Sequence, residues 1–262
     1  MANPLVKYEA RDGVALLTLD DAPANTYTHE MMKELDEAVL KARFDAGVHV
    51  IVVTGAGDKF FCAGANIAML QKVDPTFKYY FCLHANETLC RLEQTPKLVI
   101  AALNGHAVGG GLEVALAADI RIAKASGGKC GVPEVALGVL PGTGGTQRLV
   151  RLLGKSKAMK LMVMGETFSF EVAKELGLVD EVFAADDFLG QVMAYARKFL
   201  PPGKASKAVG NIKRAVQSGA EMAFTDALAL ERELQQGLFV SEDAKEGIRA
   251  YNEKRPARFE GR

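Results

Sequence analysis

Residues 97–123, KLVIAALNGHAVGGGLEVALAADIRIA, place an unbroken apolar run, three consecutive glycines and a buried-looking acid one after another. Leu98 to Leu103 reads as a fully buried strand that ends at Asn104-Gly105. Gly109, Gly110 and Gly111 then open a second, almost wholly apolar segment that carries Glu113 near its start. A carboxylate at the mouth of a segment built for burial is unfavourable unless something there holds it. Outward from this stretch, "VHVIVVTG" (48–55) is another buried strand ended by glycine. "LVKYEARDGVALLTLDD" (5–21) reads as two strands around Asp12-Gly13, the second apolar from Val14 to Leu19 and so expected inside a sheet. Thr28 is placed to cap a helix over "HEMMKELDEAVLKARF", whose Met31, Leu35, Val39 and Leu40 follow helical spacing. "FKYYFCLHANETLCRLEQ" (77–94) is a further helix. Strands alternating with helices indicate an α/β architecture. Past about residue 185 the rhythm changes to four helical stretches with no strand between them, jointed at Pro201-Pro202-Gly203. The expected division is a core over 1–199 and a helical region over 200–262.

The 262 residues balance 32 basic against 32 acidic side chains, which gives no electrostatic reason to expect nucleic acid or an anionic membrane as partner. No charged leader and no apolar run of membrane length is visible, so a soluble, cytoplasmic protein is expected. Cys62, Cys82, Cys90 and Cys130 show no metal-ligand spacing and are expected to be buried free thiols, with no metal site.

Nucleophile and phosphate-loop signatures are missing. There is no GxSxG, "HEMMK" lacks the second histidine of a zinc helix, and "TGAGDKF" and "PGTGGTQ" both break the dinucleotide fingerprint. The histidines at 29, 49, 84 and 106 are scattered and are read as structural. Two acids remain, Glu113 and Glu134, each in surroundings that disfavour charge. Alone, Glu113 is a favourable charge at a helix start, worth ~0.3–1 kcal/mol; Glu134, after Pro133, is a loop residue. Held together in a dry site, two carboxyls cannot both ionise easily, and the pair supplies one acid and one base near neutral pH. The glycines add bare backbone N–H groups at Gly110, and a second candidate donor lies at Gly64-Ala65 in "FFCAGANI". Two such groups aimed at one carbonyl make an oxyanion hole, provided the two loops meet in space.

Taken in order, "GVALLTLDDAPANT", "IVVTGAGDKFFCAGANI", "PKLVIAALNGHAVGGGLEVALAADIRIA", "GVPEVALGVLPGTGGTQRLVRLLG" and "EGIRAYNEKRPARF" resemble the enoyl-CoA hydratase/isomerase, or crotonase, family over nearly the whole chain. The resemblance implies a superhelix of repeated ββα units and C-terminal helices that build a homotrimer or a hexamer of two trimers. It implies an acyl-CoA thioester substrate, with coenzyme A as part of the substrate and no separate cofactor. Glu113 and Glu134 match the catalytic acids, and the N–H groups of Ala65 and Gly110 match the oxyanion hole. Lys59, Ala63, Asn66, Ile67, Ala68, Gly109, Pro133 and Gly142 fall at substrate- or CoA-binding positions, with Lys254 or Arg255 as further phosphate contacts. Asn66 and Ala68 depart from the aspartate and lysine usual there. "KYYFCLHANETLC" would line the acyl pocket, with Tyr79, Tyr80 and Phe81 restricting the acyl group. The activity implied first is hydration of a 2-enoyl-CoA. The alternatives are a hydratase or dehydratase of a branched or carboxylated acyl-CoA, a Δ3,Δ2-enoyl-CoA isomerase, and a non-catalytic CoA-thioester binder or scaffold.

Overall fold

The computed structural model describes residues 3–262. β1 (Val6–Arg11) and β2 (Val14–Leu19) form the expected hairpin, and α1 (His29–Phe44) begins where Thr28 accepts a hydrogen bond from the Met31 N–H. Then come β3 (Val50–Gly55), β4 (Phe60–Cys62), the single turn α2 (Ile67–Leu70) and α3 (Pro75–Glu93). β5 (Leu98–Leu103), β6 (His106–Val108) and α4 (Gly110–Leu116) repeat the pattern. β7 (Ile120–Lys124), β8 (Lys129–Gly131), a 3-10 turn over Glu134–Leu137, α5 (Gly145–Leu153) and α6 (Lys155–Met164) repeat it again. β9 (Phe168–Ser169), α7 (Phe170–Leu176) and β10 (Glu181–Phe183) end the sheets, and α8 (Phe188–Ala196), α9 (Ser206–Gly219), α10 (Phe224–Phe239) and α11 (Glu242–Asn252) follow.

From β3 to β8, consecutive strands alternate between two sheets. The larger has the order β1-β2-β3-β5-β7-β10 and the smaller β4-β6-β8-β9. Each repeat therefore lays one strand in the large sheet, one in the small sheet, and a helical segment after them. This is the ββα superhelix, an α/β fold. β2, β3, β5, β7 and β10 run parallel in the large sheet, with β1 antiparallel at its edge. The register aligns Leu16, Val52 and Ile100, then Ile120, across four strands. Because side chains alternate across a strand, both faces of β3 are buried. Ile51 and Val53 join α1 and α3 in one core, while Val50 and Val52 pack with Phe188, Val192 and Ala196 of α8 in another. The continuous apolar runs of β3 and β5 follow from this two-sided burial.

The last helices are tied back to the core by a buried ion pair. Lys213 of α9 lies 2.8 Å from Asp119, which also accepts from the Val99 N–H at 2.7 Å and from Gln217 Nε2 at 3.3 Å. His106 is structural, as expected: its Nδ1 accepts from the Lys129 N–H at 3.0 Å. The cysteine expectation needs correction. All four are free, but only Cys62 and Cys130 are buried, and Cys90 is exposed on α3. Among the described residues, no helix is long and apolar enough to cross a membrane.

Candidate active site

Each glycine of the triplet is there for a different reason. Gly109 takes φ +57°, in the left-handed region that favours glycine, to turn from β6 into α4. Gly110 faces the Tyr27 hydroxyl so closely that a Cβ would sit 2.1 Å from its oxygen. A Cβ on Gly111 would sit 1.9 Å from the Cys62 carbonyl oxygen. That approach draws the start of α4 against the end of β4. The segment after β4 is also held from the other side: the Tyr27 N–H donates to the Gly64 carbonyl at 2.9 Å, and the Asn66 N–H to the Tyr27 carbonyl at 3.0 Å. The result is that the two glycine loops touch. A Cβ on Gly64 would lie 2.9 Å from the Gly110 nitrogen. Among the described residues, neither the Ala65 N–H nor the Gly110 N–H has a protein acceptor, and both residues border the same cavity.

That cavity has a volume of about 710 Å³. Glu113 and Glu134 both line it, so the two acids converge although they stand on different elements. Glu113 sits in the first turn of α4 and is 1 % exposed. Its Oε1 accepts from the N–H groups of Thr143 and Gly145, both at 2.7 Å, at the N-terminus of α5. A helix start favours negative charge, and these amides stabilise the ionised form. Burial nevertheless raises the Glu113 pKa above the usual carboxylate value, with the two amides opposing it. Glu134 begins the 3-10 turn after Pro133, and its Oε2 is buried without a hydrogen-bond partner. Burial, and to a smaller extent the charge of Glu113, push its pKa up to about 7. The pair is thus asymmetric: one carboxyl is gripped by amides, and the other is left to hold a proton.

Ala63, Ile67, Gly109, Pro133 and Gly142 also line the cavity. Lys59, Asn66 and Ala68 do not. Lys59 is exposed, with its ammonium over the Phe60 ring. Asn66 spends its side chain capping α2 through the Met69 N–H and donating to Thr26. Ala68 is exposed within the single turn α2. Arg255 is engaged by Glu246 and Glu253. The α3 expectation holds in part. Pro75, Lys78, Phe81 and Cys82, spaced along one helix face, line the cavity. Tyr79 and Tyr80, 66 % and 61 % exposed, are not among its lining residues.

Sequence reasoning missed Tyr27, Thr143 and Gly145. Tyr27 lies in the aperiodic loop "APANTYT", and in "PGTGGTQ" only Gly142 is marked by the sequence as a binding position. The usable signal was that this glycine cluster opens a helix, whose free N–H groups suit an acid from elsewhere.

A two-sheet ββα superhelix with two acids and two unpaired amides around one apolar cavity defines a crotonase-fold protein. The pattern of the enoyl-CoA hydratase/isomerase family matches residues 9–262, and the chain belongs to that family. It is 36 % identical over 260 residues to the crotonyl-CoA hydratase of Syntrophomonas wolfei, covering 99 % of both chains. It is also 36 % identical over 254 residues to the 2,3-dehydroadipyl-CoA hydratase of Escherichia coli K12, covering 95 % of this chain and 96 % of that one. The crystal structure of an enoyl-CoA hydratase from Geobacillus kaustophilus HTA426 superimposes with a TM-score of 0.96 at 45 % identity, over 100 % of this chain and 98 % of that one.

Proposed function

We propose that this chain is an enoyl-CoA hydratase, adding water reversibly and syn across the double bond of a 2-enoyl-CoA. The observation that carries the reading is the convergence of Glu113, Glu134 and the N–H groups of Ala65 and Gly110 on one cavity. The thioester oxygen would accept from the two amides, which stabilises the enolate-like charge that develops as C3 is attacked; one such donor is typically worth ~2.7–4 kcal/mol. Glu113, kept ionised by the Thr143 and Gly145 amides, takes a proton from water as the oxygen bonds to C3. Glu134, holding a proton near neutral pH, gives it to C2 from the same side. Water is consumed, one proton passes from Glu113 to Glu134 through solvent, and the enzyme is restored. Coenzyme A is part of the substrate, and the reaction so written calls for no separate cofactor or metal.

Substrate binding at Ala63, Ile67, Gly109, Pro133 and Gly142 belongs to this reading. So does a homotrimer or hexamer built through 200–262, supported by exposed Ile212, Val216, Phe224, Phe239 and Val240 on the last helices and the segment after them. An isomerase needs a single acid/base, and the retention of two carboxyls in the cavity favours the hydratase. The test is loss of the conjugated enoyl absorbance of crotonyl-CoA and of longer, branched and carboxylated enoyl-CoAs. No loss with any of them would leave a thioester binder; faster isomerisation of a 3-enoyl-CoA than hydration would make the protein an isomerase.

A further inference from the structure

The wall of the cavity carries one cation among the described residues, Lys78 of α3. Leu70, Val73 and Phe81 make the surrounding wall largely apolar. Lys78 is half-buried, its Nζ lies 2.7 Å from Cys82 Sγ, and among the described residues no carboxylate comes within 4.0 Å of it. Asp74, one turn earlier on the same helix, is occupied: its Oδ1 accepts from the Thr76 and Phe77 N–H groups as the cap of α3. An ammonium withdrawn from water beside apolar side chains ordinarily has an anion to offset its desolvation. Among the described residues, a thiol is the sole hydrogen-bond partner of the Lys78 Nζ. Cys82 also fixes where the ammonium stands, since a Cβ on Gly142 would lie 3.7 Å from its sulfur. Gly142 directly precedes Thr143, whose amide holds Glu113. The cation is therefore on the same wall as the Thr143 amide that holds Glu113.

We propose that Lys78 selects the acyl group: it pairs with a terminal carboxylate, and the preferred ligand is the mono-CoA thioester of a short unsaturated dicarboxylic acid. This rests on the enoyl-CoA reading for the position of the thioester. The phosphates of coenzyme A are the other anions that could reach a lysine, and the experiment separates the two.

Binding of saturated thioesters is measured by calorimetry in matched pairs, glutaryl-CoA against pentanoyl-CoA and adipyl-CoA against hexanoyl-CoA, with free coenzyme A alongside. Saturated chains undergo no hydration, so the measurement is independent of the hydratase chemistry. Wild type is expected to bind the better carboxylated member at least tenfold more tightly than its uncharged partner, as a charge-assisted pair in an apolar wall should. Lys78→Met should collapse that ratio, and Lys78→Arg should keep most of it. An unchanged ratio in Lys78→Met overturns the inference. So does an equal weakening of all the thioesters and of free coenzyme A, which would assign Lys78 to a phosphate. A wild type that shows the tenfold ratio yet hydrates no enoyl-CoA supports the inference and sinks the hydratase reading; one that binds no thioester overturns both.

Discussion

The hydroxyl of Tyr27 stands 2.9 Å from Thr143 Oγ1 in the buried wall beside Glu113. Thr143 in turn donates its backbone N–H to Glu113, and its side chain also acts to lower the Glu113 pKa. Burial first, and the Glu113 charge second, raise the Tyr27 pKa well above its usual value, so this hydroxyl stays protonated. The protonated phenol, the Thr143 side chain and, through the Thr143 backbone N–H, the Glu113 carboxylate thus form a linked chain that ends on the proposed base.

Tyr27→Phe removes the first member of that chain and keeps the ring. A net hydrogen bond of about 0.5–1.5 kcal/mol corresponds to a fall in kcat of roughly two- to twelvefold. The acidic limb of the pH–rate profile should move to higher pH, because Glu113 loses support for its ionised form. Steady-state kinetics across pH 5–9 check this; a profile that superimposes on wild type would show that the phenol only fills space.

Glu113→Gln and Glu134→Gln should each lower kcat by on the order of 10²–10⁴, the usual contribution of a positioned acid or base. The signs of the two limbs follow from the shifts. Hydration needs Glu134 protonated, so its rate should decline as pH rises through about 7. It needs Glu113 ionised, so it should also decline toward acid, on a limb displaced above the ordinary carboxylate range. Dehydration starts from the other arrangement of the same single proton, Glu113 protonated and Glu134 ionised, and because the overall reaction takes up no net proton, kcat/KM in the two directions should follow one pH profile.

Glu134 carries a stability consequence of the opposite sign to that of a salt-bridged acid. Its folded pKa of about 7 lies above the ordinary 4.5. The stabilisation linked to holding that proton is fully present below the unfolded value and is lost as pH rises through about 7. Glu134→Gln does not titrate. It should therefore melt higher than wild type at pH 8, by on the order of 1 kcal/mol after screening of a half-buried group, with a smaller difference at pH 4. Thermal melts at the two pH values read this directly.

Gly110→Ala and Gly111→Ala separate function from folding. The first drives a Cβ to 2.1 Å from the Tyr27 oxygen, which a tilt of the ring can relieve, so activity should fall by more than stability. The second drives it to 1.9 Å from the Cys62 backbone carbonyl, where α4 and β4 must separate. It should cost about 3 kcal/mol and reduce soluble yield. Melting temperature set against residual activity distinguishes the two.

Lys213→Ala should destabilise the chain by about 3–5 kcal/mol, because it strands Asp119 without its ammonium partner in a buried position. Burial already lowers the Lys213 pKa, with Asp119 opposing that effect. Adding Asp119→Asn to Lys213→Ala should recover part of the loss in denaturant titrations. No recovery would mean that the helix is held by its other contacts.

Several elements were legible residue by residue. Thr28 and the spacing of Met31 and Leu35 defined α1, and the unbroken apolar runs marked β3 and β5 as buried on both faces. The small sheet was invisible to periodicity. β4, β6 and β8 span three residues each, too few to display an alternation. The direction of α3 was misjudged at Tyr79 and Tyr80 because aromatic residues suggest burial, whereas helical phase placed Phe81 inside and both tyrosines outside. Asn66, which the resemblance puts at the ligand, caps α2 with its side-chain oxygen and is not among the residues lining the cavity.

Local chain chemistry was enough to establish the α/β rhythm, the helical C-terminal stretch and the candidacy of Glu113, Glu134, Ala65 and Gly110. Those features depend on periodicity, capping and the special backbone of glycine, all short-range effects. Packing alone determined that the loops at Gly64 and Gly110 touch, that Thr143 and Gly145 grip one glutamate while the other keeps an orphaned oxygen, and that Lys78 faces the cavity. Such contacts join residues tens of positions apart, and the desolvation that sets the two carboxyls apart exists only once the sheets and helices have closed around them.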